Sequence, residues 1–151
     1  MSIGDYCNRA VVVTGPNSTV NECAELMRQH HVGSIVVVES KGGINIPIGI
    51  VTDRDIVIEV VARHVSPEQI TVSDLISRNL IVAREVDGLW ETLRRMRNRG
   101  IRRIPVVNDE NVLVGILTAD DCLEILTEEL QQLVSLVRVE QSQEVINRTV
   151  P

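Results

Sequence analysis

Two short acidic stretches are the first candidates for chemistry. "GIVTDRDI" at 49–56 and "GILTADDC" at 115–122 both read glycine, two aliphatics, threonine, two variable residues, aspartate. Thr52 therefore stands three residues before Asp55, and Thr118 three before Asp121. One such pair at the start of a helix is an ordinary N-terminal signature, because the threonine oxygen can accept from an orphan amide. The repetition leaves two readings: the chain caps two helices the same way, or it builds one polar site twice. A second group is cationic. "RRMRNRGIRR", 94–103, ends in Arg102 and Arg103, and reads either as a solvated helix end or as an anion-binding edge.

Other chemistries find little support. The histidines His30, His31 and His64 lack metal-ligand spacing, and Cys7, Cys23 and Cys122 form no Cys-x-x-Cys. We expect no metal site, and buried thiols in a reducing cytoplasm. No Ser-His-Asp or Cys-His grouping and no glycine-rich phosphate loop is present, so we expect a chain that is not an enzyme. With no Phe, one Tyr, one Trp and a formal charge of −6, it lacks the stacking rings and basic face of a nucleic-acid binder. No apolar run approaches the roughly 20 residues of a membrane helix, and the N-terminus has no signal pattern. Those features predict a cytoplasmic, soluble protein.

The elements that must position these residues come from an internal repeat. At an offset of 69, nine of the 36 positions in 3–38 are identical to those in 72–107, including Asp5 with Asp74, Met27 with Met96 and Val37 with Val106. The offset then falls to 66, since "SKGGIN" makes the first turn three residues longer than the second, and the two quoted motifs align. Each repeat predicts a short strand ("AVVV", "LIVA"), a helix, a Val-rich strand, a turn, a second strand and a second helix. The first helix opens at Thr19 with Glu22 as a capping box and turns Val20, Cys23, Ala24 and Met27 inward. Its partner opens at Asp87 or Gly88 with Leu89, Leu93 and Met96 inward. Half a chain of about 65 residues makes a marginal core, so the halves are expected to pack about a pseudo-twofold axis and leave clefts for small ligands. Ser66-Pro67 in the connector predicts a capped helix start. Beyond the second repeat, Leu126, Leu130, Leu133, Leu136 or Val137, and Val145 continue a helical stripe to about Ile146. Such a stripe either folds back on its own module or packs against a partner subunit, and we expect a homodimer with the helices after Thr52 and Thr118 at its interface and the tail adding to it. The last residues, "NRTVP", are expected to fray.

"HVGSIVVVE…IPIGIVTDRDI" and "GIRRIPVVNDENVLVGILTADD" resemble the two halves of a CBS-domain pair, or Bateman module, over residues 3 to about 126. The resemblance implies an α/β (α+β) fold of two β-α-β-β-α repeats, 1–64 and 65–126, with a helical extension and tail, 127–151. It implies a non-catalytic, ligand-sensing regulatory module binding an adenosine-containing ligand: AMP, ADP, ATP or, within the same class, S-adenosylmethionine. Asp55 and Asp121 would accept from the ribose hydroxyls, as an acceptor-only carboxylate can from a cis-diol. Thr52 and Thr118 would meet ribose or phosphate, and Arg102, Arg103 and Arg54 phosphate. Gly33 and Ser34 stand where the second repeat has the two arginines, so the Asp55 cleft would carry more positive charge than the Asp121 cleft. The backbone at Val13-Thr14 and Val82-Ala83 would meet the adenine edge, and Val32, Ile35 and Ile101 its ring. Such modules regulate an enzyme, channel or transporter, here a separate, unidentified protein, since the chain is read as standing alone. The alternative is a structural or protein-interaction dimer module with no physiological nucleotide.

Overall fold

The structure, a computed structural model, describes residues 1–77 and 79–148. The chain divides into two compact units between Leu117 and Thr118. The first unit holds two three-stranded sheets. In one, β1 (Val13–Thr14) lies parallel to β2 (Ser34–Lys41), which pairs antiparallel with β3 (Ile44–Thr52). The other repeats that order with β4 (Ala83–Arg84), β5 (Arg103–Val107) and β6 (Leu113–Thr118). Helices α1 (Val20–His30) and α3 (Leu89–Arg99) follow the short strands. After β3 comes α2 (Asp53–Ile56), continued by a π-helical turn Val57–Val61, and β6 leads into α4 (Ala119–Arg148).

The repeat is real in register as well as in order. Thr14 opposes Val37, and Ala83, 69 residues on from Thr14, opposes Val106. The first strands are shorter than expected: only the last residue of "AVVV" and of "LIVA" enters the sheet. The β-branched run Ile35–Val38 is wholly or nearly wholly buried, as expected of a strand covered on both faces. Between Val37 and Val38 the β2–β3 register slips, with Gly49 opposite the one and Pro47 opposite the other. This bulge admits a proline, which has no ladder donor, into an edge strand. Lys41 then pairs with Ile44 around Gly42 and Gly43, both at positive φ, which accounts for the insertion in the first repeat's turn.

The two repeats exchange their lead-in segments. Ile3 N–H donates to Asp87 O and Gly4 N–H to Glu85 O, both at 2.9 Å. In the first repeat Val72 N–H donates to Ser18 O at 2.9 Å and Ser73 N–H to Pro16 O at 3.2 Å, the same bonds 69 residues displaced. Val72 belongs to the buried cluster of the first repeat with Cys23, Met27, Ile35, Val37 and Val51. The exchange explains both motif glycines. A Cβ on Gly49 would lie 2.6 Å from Ile76 Cβ, and one on Gly115 2.5 Å from Cys7 Sγ. Arg9 secures the first lead-in, donating to Gly4 O at 2.8 Å and pairing with Glu85 at 2.8 Å.

Thr19 and Glu22 form the expected capping box, with reciprocal bonds of 3.1 and 2.8 Å. Gly88 is the N-cap of α3. The connector differs from expectation: Ser66-Pro67 starts a turn, closed by Gln69 N–H to Ser66 O, and no helix. Its carbonyls serve α1 instead, with Pro67 O accepting from Asn21 N–H and Ile70 O from Val20 N–H, both at 3.0 Å. These are amides the first turn of a helix cannot satisfy itself. In the second unit α4 runs past Ile146 to Arg148, so Asn147 and Arg148 are helical where fraying was expected. Residues 149–151 of that stretch, and Arg78, the repeat partner of Arg9, lie outside the described residues.

Two substitutions test this packing in opposite directions. Gly49→Ala pushes a methyl into Ile76 Cβ and is expected to cost about 1–3 kcal/mol. Gly15→Ala, with nothing within 4 Å of its Cβ position, is the neutral control. Thr92 is wholly buried with its hydroxyl unpartnered, at the position where the first repeat has Cys23. Thr92→Val removes an unsatisfied group at equal volume and is expected to stabilise by about 1 kcal/mol. Urea unfolding of the three variants reads all of these changes.

Candidate functional site

Thr52 ends β3 and caps α2. Its hydroxyl accepts from Asp55 N–H at 3.1 Å, while Asp55 Oδ2 accepts from Thr52 N–H at 2.8 Å. The carboxylate is thus held by its own cap, and the bond uses Oδ2 alone, leaving Oδ1 for another donor. The second motif is built alike in its own unit. Asp121 Oδ2 accepts from Thr118 N–H at 2.8 Å, and Thr118 Oγ1 accepts from Asp121 N–H at 3.1 Å. The two readings of the doubled motif are therefore compatible, since capping fixes the orientation that a site would need.

Capping alone does not single out a site. Thr71 and Asp74 form the same box, with Asp74 Oδ2 accepting from Thr71 N–H at 3.0 Å. Sequence reasoning passed over this third Thr-x-x-Asp, which does not line the cavity that Thr52 and Asp55 face. What distinguishes Thr52 and Asp55 is position. They line a cavity of about 640 Å³ in the first unit, within the usual range for a small-molecule site.

Three segments wall that cavity. Gly49, Ile50 and residues 52–55 come from the β3–α2 junction, and Gly100–Arg103 from the passage between α3 and β5. Ser77, Asn79, Leu80 and Ile81 come from the exchanged lead-in of the second repeat. Thr52, Arg54, Asp55, Ile101, Arg102 and Arg103 thereby line one cavity. Three guanidinium groups and the carboxylates of Asp53 and Asp55 leave the lining at +1 (3 − 2), on a chain of formal charge −6. Gly100, at φ +64, ends α3 in the left-handed conformation and turns the arginines toward β5.

Other candidates sit elsewhere. Val13, Thr14, Val82 and Ala83 do not line the cavity; Thr14 and Ala83 are buried sheet residues, and the wall falls upstream, at 79–81. Ile35 is fully buried in the first repeat's core, and Val32 packs against that core. Neither presents a ring-stacking surface to this cavity, because their side chains are spent on the helix–sheet interface. Ser34 begins β2, partly buried. Gly33 O accepts from Asp53 N–H at 3.0 Å, and a Cβ there would stand 3.1 Å from Asp53 Oδ2 and 3.5 Å from Arg103 Nη2. The missing side chain gives these two opposite charges room. Among the lining residues that sequence reasoning missed, Asp53 is the charged one; its only signal was its place between Thr52 and Asp55.

Two of the thiols are poor nucleophiles. Burial pushes Cys23 up to about 11, and burial, then the Asp121 charge, raises Cys122. Among the described residues no cluster of three or more His, Cys, Asp or Glu could hold a metal ion. No described helix is long and apolar enough to cross a membrane.

The family model for the CBS domain matches twice, over residues 3–62 and 72–128. The chain belongs to the CBS-domain family. An uncharacterized protein of Methanopyrus kandleri is 38% identical over 125 residues, which cover 83% of this chain and 62% of that one. The chain thus spans less than two thirds of that relative's length. Among solved structures, an uncharacterized conserved protein from Pyrococcus horikoshii superposes with a TM-score of 0.73 at 32% identity, covering 82% of this chain and 90% of that one. The CBS domain pair of protein MJ0100, in complex with 5'-methylthioadenosine and S-adenosyl-L-methionine, gives a TM-score of 0.73 at 24% identity, over 83% and 99% of the two chains. At that identity the likeness speaks for the fold. In this CBS pair the lead-in exchange, the Thr52–Asp55 capping box and the arginine edge meet at one cavity.

Because Asp55 is both cap and candidate ligand, its substitutions separate the two roles. Asp55→Ala deletes the box and is expected to cost about 0.5–2 kcal/mol. Asp55→Asn keeps an oxygen for Thr52 N–H and should lose less than half of that. Equal losses in thermal unfolding would mean the charge, and not the cap, holds α2.

Proposed function

We propose that this CBS pair is a non-catalytic regulatory module that senses an adenosine-containing ligand in the Asp55 cavity. The observation that carries the reading is the pairing, across one cavity, of a cap-held carboxylate with Arg54, Arg102 and Arg103. Asp55 Oδ1 accepts from ribose hydroxyls, and the arginines hold phosphate by charge-assisted bonds. AMP, ADP and ATP suit that charge better than S-adenosylmethionine, whose sulfonium is cationic. Thr118 and Asp121 serve an equivalent role as a second ribose-binding pair, and Gly33 and Ser34, which stand where the second repeat has Arg102 and Arg103, add no positive charge. The module acts on a regulated protein in the cytoplasm. The module works as a homodimer, for which the exposed Val57, Ile58 and Val61 after α2 supply apolar surface.

A second reading is an interaction module without a nucleotide. It is favoured by α4, where Leu130, Leu133 and Leu136 are each more than 60% exposed.

Thermal unfolding with adenosine, AMP, ADP, ATP and S-adenosylmethionine decides between them. A ligand that binds only the folded chain, at 100 times its dissociation constant, adds about 2.7 kcal/mol. Arg103→Ala is expected to weaken AMP and ATP about tenfold or more, from the roughly 1.5–3 kcal/mol of a charged contact, and adenosine little. If none of the five raises the melting temperature of the unsubstituted chain, the sensing role is wrong and the interaction module stands.

A further inference from the structure

The CBS repeats end at residue 128 by the family model, yet α4 continues for 20 more described residues, 129–148. Leu123, Leu126, Leu130, Leu133 and Val137 recur in steps of three and four, the heptad seam by which one helix packs on another. With Val134 they occupy about 100° of the helix circumference at 3.6 residues per turn. Leu130 is 61% exposed, Leu133 63% and Val137 48%. Past Val137 the same seam positions are Glu140 and Glu144, which end it.

We propose that this seam binds the α4 of a second copy of the chain in antiparallel orientation. The inference rests on the self-association proposed above and specifies its face and direction. Charge selects the direction. Residues 119–133 carry Asp120, Asp121, Glu124, Glu128 and Glu129, a charge of −5, while in 134–148 Arg138 and Arg148 balance Glu140 and Glu144. A parallel, in-register pair sets −5 against −5 and stacks Glu140 and Glu144 on their own copies. An antiparallel pair centred between Leu130 and Leu133 sets the acidic half against the neutral one. Its layers are Leu126 on the other copy's Val137, and Leu130 on the other copy's Leu133, each twice. Leu136 then flanks the stem of the other copy's Glu129.

Cysteine cross-linking of the full-length chain reads the direction. Leu126→Cys chains mixed with Val137→Cys chains should form a disulfide-linked heterodimer under mild oxidation, with the unsubstituted chain as control for its three native thiols. Neither variant alone should cross-link, because like positions lie about 16 Å apart along the axis at 1.5 Å per residue. Self-linking by Val137→Cys alone would overturn the antiparallel pair. Leu130→Glu with Leu133→Glu, at exposed positions, should halve the mass in sedimentation equilibrium to the 16.8 kDa monomer. It should leave any nucleotide-induced rise in melting temperature unchanged. A dimer that survives this double substitution and gives no mixed cross-link would refute the seam while sparing self-association; a monomeric unsubstituted chain would refute both.

Discussion

Residues 1–9 hydrogen-bond to the second repeat and residues 66–76 to the first, so neither repeat closes its core from its own sequence alone. Ile3 and Val72 are each fully buried, and side chains of this size contribute about 1.5–3 kcal/mol each when removed from water. The crossing lead-in must pass over a sheet strand at backbone distance, which excludes any side chain at Gly49 and Gly115. The segment that continues from the crossing, Ser77 to Ile81, then becomes one wall of the cavity. Core, motif glycines and cleft are consequences of one topological fact.

The same economy shows in the polar groups. Thr19–Glu22, Thr52–Asp55, Thr71–Asp74 and Thr118–Asp121 are all reciprocal boxes. Each satisfies two donors that a helix start cannot pair internally. Local chemistry is therefore the same at four places, and only tertiary position gives Thr52 and Asp55 a cavity to face. Asp87 shows a related device in the second repeat. Burial alone would raise its carboxyl, but hydrogen bonds from the Arg95 side chain and the Arg84 amide outweigh that and hold it below the ordinary range. Its contribution is fully present above the unfolded carboxyl's range and is lost as pH falls through the lowered folded value.

Element order was legible because periodicity and repetition agree. The offset of 69 that aligns Thr14 with Ala83 also aligns their sheet partners Val37 and Val106. The capping box at Thr19 and the β2–β3 hairpin followed from local residue types. What the sequence hid was long-range. Pro67 looked like a helix start and is a turn, because its carbonyl is taken by Asn21 N–H from another element. "LIVA" looked like a strand, but Leu80 and Ile81 line the cleft and leave the sheet. Ile35 carried no mark to distinguish a core position from a cleft position, since an aliphatic suits both.

The asymmetry between the repeats has a packing cause as well as a chemical one. At Gly33 the first repeat brings Asp53 and Arg103 within 3.5 Å of where a Cβ would be. A side chain there, matching Arg102 of the second repeat, would press on Asp53 Oδ2 at 3.1 Å and meet Arg103 Nη2 at an ordinary contact distance. Glycine at 33 leaves Asp53 in place without that contact. The same frame thus carries guanidinium groups at 102 and 103 in one repeat, and glycine and serine at 33 and 34 in the other.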